Sequence, residues 1–185
     1  MKEFDYIVIG GGSGGCAVAG RLSEDPKVSV CLLEAGASDD RMLIKVPFCT
    51  VMMLPTRINN WAFETVPQPG LNGRRGYQPR GKALGGSSSI NAMVYMRGHP
   101  WDYDHWAALG NAGWSFREVL PYFKKSEHNE DFHDEHHGQG GPLNVARLRS
   151  MNPFQEIYLE AARQAGFKLI DDFNGADQEG IGIHQ

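Results

Sequence analysis

The apolar run Tyr6-Ile7-Val8-Ile9 stops at three consecutive glycines, Gly10 to Gly12, and a helix-period, alanine-rich pattern follows from Ala17 to Leu22. A polar turn, Asp25-Pro26-Lys27, leads into a second apolar run, Val28 to Leu33, which ends at Glu34. These segments predict a strand, a helix and a second strand of a parallel βαβ unit. Ala37 to Arg41 is polar and reads as loop. Val46 to Leu54 is an apolar patch between Pro47 and Pro55, read as a short helix with Met52 and Met53 in the core. Trp61 to Val66 alternates apolar with small or polar residues and predicts a strand, ended by Pro67 and Pro69-Gly70.

The second half reads as helices separated by polar segments. Pro100 to Leu109 predicts a helix with Asp102, His105, Trp106 and Leu109 on one face and Gly110 as its C-terminal cap. Ser115-Phe116-Arg117-Glu118 is a capping-box pattern for another helix, which Pro121 should kink or restart. Residues 126–141 read as a polar surface loop, and Pro142 to Val145 as a short strand. Asn152-Pro153-Phe154-Gln155 opens a further helix with Phe154, Ile157, Tyr158, Ala161 and Ala165 as its apolar face. There is no internal repeat.

The first turn carries chemistry. Gly10, Gly12 and Gly15 have the spacing of a dinucleotide-binding turn: Gly10 permits the sharp turn, Gly12 lets a pyrophosphate approach the backbone, and Gly15 lets the helix pack on the strand. The helix N-terminus offers unpaired N–H groups and the positive dipole end to phosphate. Glu34 lies nineteen residues past Gly15, where a carboxylate can accept from an adenosine ribose.

A second glycine site follows. Gly85-Gly86-Ser87-Ser88-Ser89 leads into Ile90-Asn91-Ala92, and small residues before a helical turn make a cluster of inward-pointing N–H groups. Serine hydroxyls and the Asn91 amide add donors. A doubly phosphorylated cofactor could use both turns. Between the two sites, Leu71 to Leu84 contains Arg74, Arg75, Arg80 and Lys82 and no acid, either a solvated basic loop or a cover over an anionic cofactor.

Composition narrows the class without choosing within it. The 185 residues are 41% hydrophobic and carry a net charge of −4, ordinary for a globular domain and unlike a nucleic-acid binder. Cys16, Cys31 and Cys49 lack metal-ligand spacing and read as buried free thiols in a reducing compartment. The opening residues are too acidic for a signal peptide, and no apolar run reaches a membrane span. His128, His133, His136 and His137 match no common zinc spacing, so no metal is expected.

The opening turn, Leu32-Leu33-Glu34-Ala35-Gly36, and Pro79-Arg80-Gly81-Lys82-Ala83-Leu84-Gly85-Gly86-Ser87-Ser88-Ser89-Ile90-Asn91 together resemble the glucose–methanol–choline (GMC) flavin oxidoreductases. The run Ala92-Met93-Val94-Tyr95-Met96-Arg97-Gly98-His99 resembles their choline and aliphatic alcohol dehydrogenase branch. The resemblance implies an α/β, Rossmann-like FAD-binding fold of the GMC type. Gly10, Gly12, Ser13, Gly14 and Gly15 would line the FAD pyrophosphate, Glu34 and Ala35 the adenosine ribose, and Ser87, Asn91, Ala92 and Val94 the pyrophosphate and flavin. Some relatives attach flavin through a histidine just before the asparagine; Ile90 occupies that position here, which implies non-covalent FAD.

In the family the catalytic histidine and its partner lie near the C-terminus of a much longer chain. The resemblance therefore implies an incomplete N-terminal fragment, with residues 1–185 the first part of the FAD-binding domain. Residues 37–84 would cover the cofactor, and 126–185 would open an inserted, substrate-facing region. No catalytic residue is assigned here, and the rest of the same protein is an expected partner. The implied reaction is oxidation of a primary alcohol to an aldehyde, with oxygen or a quinone-type acceptor. A cytoplasmic location is expected, and a quinone acceptor would bring loose peripheral association with the inner membrane. The rival readings are an NAD-linked dehydrogenase and a non-catalytic nucleotide-binding module.

Overall fold

A computed structural model describes residues 2–185. The chain forms two units, Met1–Met93 and Val94–Gln185.

In the first unit, β1 (Tyr6–Ile9) and β2 (Val30–Leu33) form a parallel pair in the register Tyr6↔Val30 to Ile9↔Leu33, joined through α1 (Ser13–Leu22). Helix α1 starts four residues before the alanine-rich pattern, because Gly12 adopts the extended N-cap conformation and accepts from Cys16 N at 2.8 Å. Gly14 and Gly15 are poor helix formers and hide this first turn from the periodicity. Strand β2 starts two residues later than predicted, since the N–H of Val28 closes a turn onto Asp25 O. The Asp5 carboxylate accepts from Ser29 Oγ at 2.6 Å and Ser29 N at 2.8 Å, bonds that hold its carboxyl below the usual range and pin the start of the pair. The sheet faces stay open, with Ile7 61% and Ile9 84% exposed.

The apolar patch after this unit folds as α2 (Met42–Lys45), a 3-10 turn (Pro47–Cys49) and α3 (Thr50–Met53), burying Cys49 and Met53. The predicted strand Trp61–Val66 contracts to β3 (Phe63–Glu64), antiparallel to β4 (Tyr77–Gln78). Ala62 takes a left-handed φ of 51°, which ends the extended run before Trp61 can join it. Asn60, buried, holds this corner: its Nδ2 donates to Leu54 O, Thr56 O and Tyr77 Oη, and its Oδ1 accepts from Ala62 N and Arg80 N.

The second unit contains α4 (Pro100–Ala108), α5 (Phe116–Ser126), β5 (Glu127–Asn129), β6 (Leu143–Val145) and α6 (Pro153–Gln164). All three helices begin with capping boxes; in α4 the cap is His99, whose Nδ1 accepts from Trp101 N at 3.1 Å. Pro121 does not restart α5, which runs on through it with Val119 buried and Phe123 edge-on to Tyr103 of α4. The polar stretch 126–141 is not wholly surface loop: β5 pairs in parallel with β6, and Glu127 and Asn129 are fully buried. Its charges are matched from inside. Glu127 accepts from Arg97 Nη2 at 2.5 Å, Gly138 N at 2.9 Å and Asn129 Nδ2 at 2.9 Å, and lies 3.2 Å from His137 Nδ1. Helix α6 turns its apolar face outward, with Phe154 75% exposed. Among the described residues the three cysteines are free thiols, and no helix is long and apolar enough to cross a membrane.

Candidate functional site

The turn after β1 shows the division of labour expected of its glycines. Gly10 has φ +94° and its N–H donates to Leu33 O at 2.7 Å, so the chain leaves the strand sharply while tied to β2. A Cβ on Gly15 would collide with the carbonyl oxygen of Gly10, as close helix–strand packing requires. A Cβ on Gly10, Gly12 or Gly14 would meet no protein atom within 4 Å. The turn thus presents bare backbone to open space at the start of α1, where anions are favoured.

Glu34 closes the side of this turn. One carboxylate oxygen accepts from Gly11 N at 2.7 Å and the other from Gly36 N at 2.7 Å. Each oxygen keeps a second lone pair, so the carboxylate braces two loops and can still accept from a vicinal diol. Ala35, beside it, is exposed.

The second glycine motif packs directly on the first. Gly85 N donates to Gly11 O at 2.6 Å, and Ser88 Oγ hydrogen-bonds Ser13 Oγ. A Cβ on Gly86, which has φ +57°, would stand 2.8 Å from the Cα of Gly12. Gly36 lies against the backbone of Lys82 and Ala83, and Ala37 bridges Ala83 in parallel. Two turns some seventy residues apart therefore form one wall. The motif itself is a 3-10 turn, Gly86–Ser89, and no helix follows it, contrary to the helical turn expected from its small residues.

The remaining predicted residues are placed less centrally. Ser87 Oγ accepts from Gly81 N at 3.1 Å. Asn91 is exposed, and its side-chain oxygen accepts from Met93 N at 2.8 Å while its carbonyl accepts from Thr50 Oγ1. Ala92 is exposed, and Val94 opens the second unit, also exposed.

A hollow of about 700 Å³ lies where these parts meet, lined by Gly10, Gly12, Leu33, Glu34, Trp61 and Gly86 among others. Trp61, a strand position by its alternating pattern, is a lining residue that this pattern does not reveal. The Asn59-Asn60 pair before it was the available signal, because asparagine tolerates the left-handed conformation that Asn59 adopts, φ 52°. Of the basic stretch, Lys82 brings its charged end to this wall, its Nζ 4.2 Å from the Trp61 ring centroid. Arg74, Arg75 and Arg80 bond to carbonyls of Leu71, Thr65 and Pro79 around their own hairpin.

The four clustered histidines lie in the second unit. His137 is buried, with Nε2 hydrogen-bonded to Asp172 Oδ2 at 2.9 Å, so it is a core residue and not an exposed loop position.

A parallel βαβ unit, a bare glycine turn and a strand-end carboxylate define a dinucleotide-binding α/β protein. The GMC oxidoreductase profile matches residues 4–185, and the chain belongs to that family. It is 48% identical over 181 residues to an oxygen-dependent choline dehydrogenase of Sinorhizobium fredii, covering 98% of this chain and 33% of the relative. It is 47% identical over 183 residues to an alcohol dehydrogenase [acceptor] of Pseudomonas putida, with the same coverage. Among solved structures, pyridoxine 4-oxidase from Mesorbium loti superposes with a TM-score of 0.88 at 34% identity, over 96% of this chain and 35% of that one. An FAD-dependent oxidoreductase from Chaetomium thermophilum superposes with a TM-score of 0.83 at 34% identity, over 96% and 32%. The chain spans about a third of the length of the curated relatives it matches.

Proposed function

We propose that this chain forms the FAD cradle of an oxidoreductase that converts a primary alcohol, choline-like or aliphatic, to an aldehyde. The observation that carries the reading is the direct contact of the two glycine turns beside Glu34, with Gly85 N on Gly11 O and Gly86 against Gly12. Their open side fits a pyrophosphate, because the positions where Cβ atoms of Gly10, Gly12 and Gly14 would stand hold no protein atom. The choline and alcohol dehydrogenase relatives supply the substrate class.

Backbone N–H groups of residues 12–15 bind phosphate, and Ser13 with Ser87 adds hydroxyl donors. Glu34, with Ala35 beside it, accepts the ribose hydroxyls. Asn91 and Ala92 lie along the flavin end. Bound flavin supplies the hydride acceptor. Ile90 is buried and has no nucleophilic atom, which supports non-covalent attachment. The base that takes the hydroxyl proton comes from polypeptide beyond this chain. Residues 37–84 cover the cofactor and 126–185 open the substrate region. Electrons pass to oxygen or to a quinone-type acceptor. The protein works in the cytoplasm, and with a quinone acceptor it touches the inner membrane peripherally.

The test is purification of the full native polypeptide. A yellow protein whose flavin is released by acid is expected. A colourless protein defeats the FAD assignment, and flavin retained through acid precipitation defeats non-covalent attachment.

A further inference from the structure

Trp61 is held in the wall of the hollow by backbone and ring contacts. Its N–H donates to Arg80 O at 2.8 Å, its neighbour Asn60 bridges Gly81, and its ring stacks on Phe63 at 5.6 Å with planes 8° apart. The residues on either side of the Asn60-Trp61 pair, Asn59 and Ala62, are both left-handed, a conformation that costs alanine energy and persists only where the surroundings impose it. The backbone is bent here to present one indole.

Lys82 completes this arrangement. Its backbone is fixed by Gly36 packed against it and by its own N–H donating to Asn59 O at 2.8 Å. Its ammonium lies over the Trp61 ring and forms no ion pair with a carboxylate among the described residues. A cation over an indole face is the strongest of the side-chain cation–π pairings.

We propose that Lys82 is a positioning residue for the adenine end of the nucleotide, acting through Trp61. The inference rests on the cofactor reading above: a ribose held at Glu34 places its base against the adjoining wall, and Trp61 is the aromatic side chain lining the hollow there. Lys82 restrains the indole by cation–π attraction so that the purine meets an ordered aromatic side chain and not a mobile one. Its charge serves the ring, not the phosphates.

The experiment uses the full native polypeptide stripped of flavin and follows binding by calorimetry. ADP reports the adenine end and inorganic pyrophosphate the phosphate turn. Lys82→Met should weaken ADP about two- to five-fold, the range of a partly exposed cation–π pair, and leave pyrophosphate unchanged. Lys82→Arg should restore ADP affinity. In a Trp61→Leu background, Lys82→Met should have no further effect. Equal ADP binding by Lys82→Met and the unsubstituted protein overturns the proposal. So does an equal loss toward pyrophosphate, which would make Lys82 a phosphate contact. Failure of the unsubstituted protein to bind ADP or FAD would instead strike the cofactor reading.

Discussion

Gly86→Ala tests whether the two glycine turns share a wall. The new methyl would stand 2.8 Å from the Cα of Gly12, whereas carbon atoms pack at about 3.5–4.0 Å. Both sides of the clash are backbone, so no rotamer change relieves it and the turns must separate by about 1 Å. Alanine at φ +57° costs about 1–2 kcal/mol, and overpacking adds about 1–3 kcal/mol. The summed loss is about 2–5 kcal/mol. Separation also strains the 2.6 Å bond from Gly85 N to Gly11 O and the Ser13–Ser88 contact. Urea unfolding of the flavin-free protein should show that loss, and flavin titration should show affinity reduced by at least about tenfold. Gly12→Ala is the control. Its methyl meets no protein atom, and its φ of −76° and ψ of −171° suit alanine. It should leave flavin-free stability within about 1 kcal/mol and still weaken flavin, because the methyl fills ligand space. If Gly86→Ala leaves both stability and flavin affinity unchanged, the shared wall is refuted.

Glu34→Gln keeps one acceptor and turns an NH₂ toward the other N–H; it should cost about 1.5–3 kcal/mol in the flavin-free protein, read from urea midpoints. Unchanged midpoints would mean that the carboxylate does not brace Gly11 and Gly36. In the second unit, burial alone would raise the Glu127 carboxyl, but Asn129, the Gly138 N–H, His137 and the Arg97 guanidinium together hold it below the usual range. A depressed carboxyl contributes stability above its unfolded value, about 4.3, that is lost as pH falls through the folded one, so urea midpoints should decline below about pH 4. Glu127→Gln should flatten that acid limb and cost about 3–5 kcal/mol at neutral pH by leaving Arg97 buried without its counter-ion, measured by the same titration.

The parts of the fold written in local chemistry were legible. Tyr6 to Glu34 carries its strand, turn, helix and carboxylate in contiguous residues, and the caps of α5 and α6 sit where short polar motifs place them, while the His99 cap of α4 was not legible in the sequence. What escaped depends on contacts between distant segments. Glu127 to Asn129 looks like surface until Arg97, His137 and Gly138 are brought around it. Trp61 reads as a strand residue until Asn60 ties it to Arg80. The apolar stripe of α6 was visible as a period, but a period records which residues share a face and not what that face meets. The Gly86–Ser89 turn shows the same limit: small residues announced a tight turn, while its approach to Gly12 depends on the register of Leu84 and Ala83 with Ala37.

Among the described residues the pair β1 and β2 is a ladder with one shared rail and two unpaired outer ones. Along each bare side, N–H and C=O groups stand ready to bond, and Ile7 and Ile9 offer them an oily backing. Any extended segment that reaches such a side can be zipped on, whether it comes from the same polypeptide or from a neighbour. Such a border is where further strands of a parallel sheet would add.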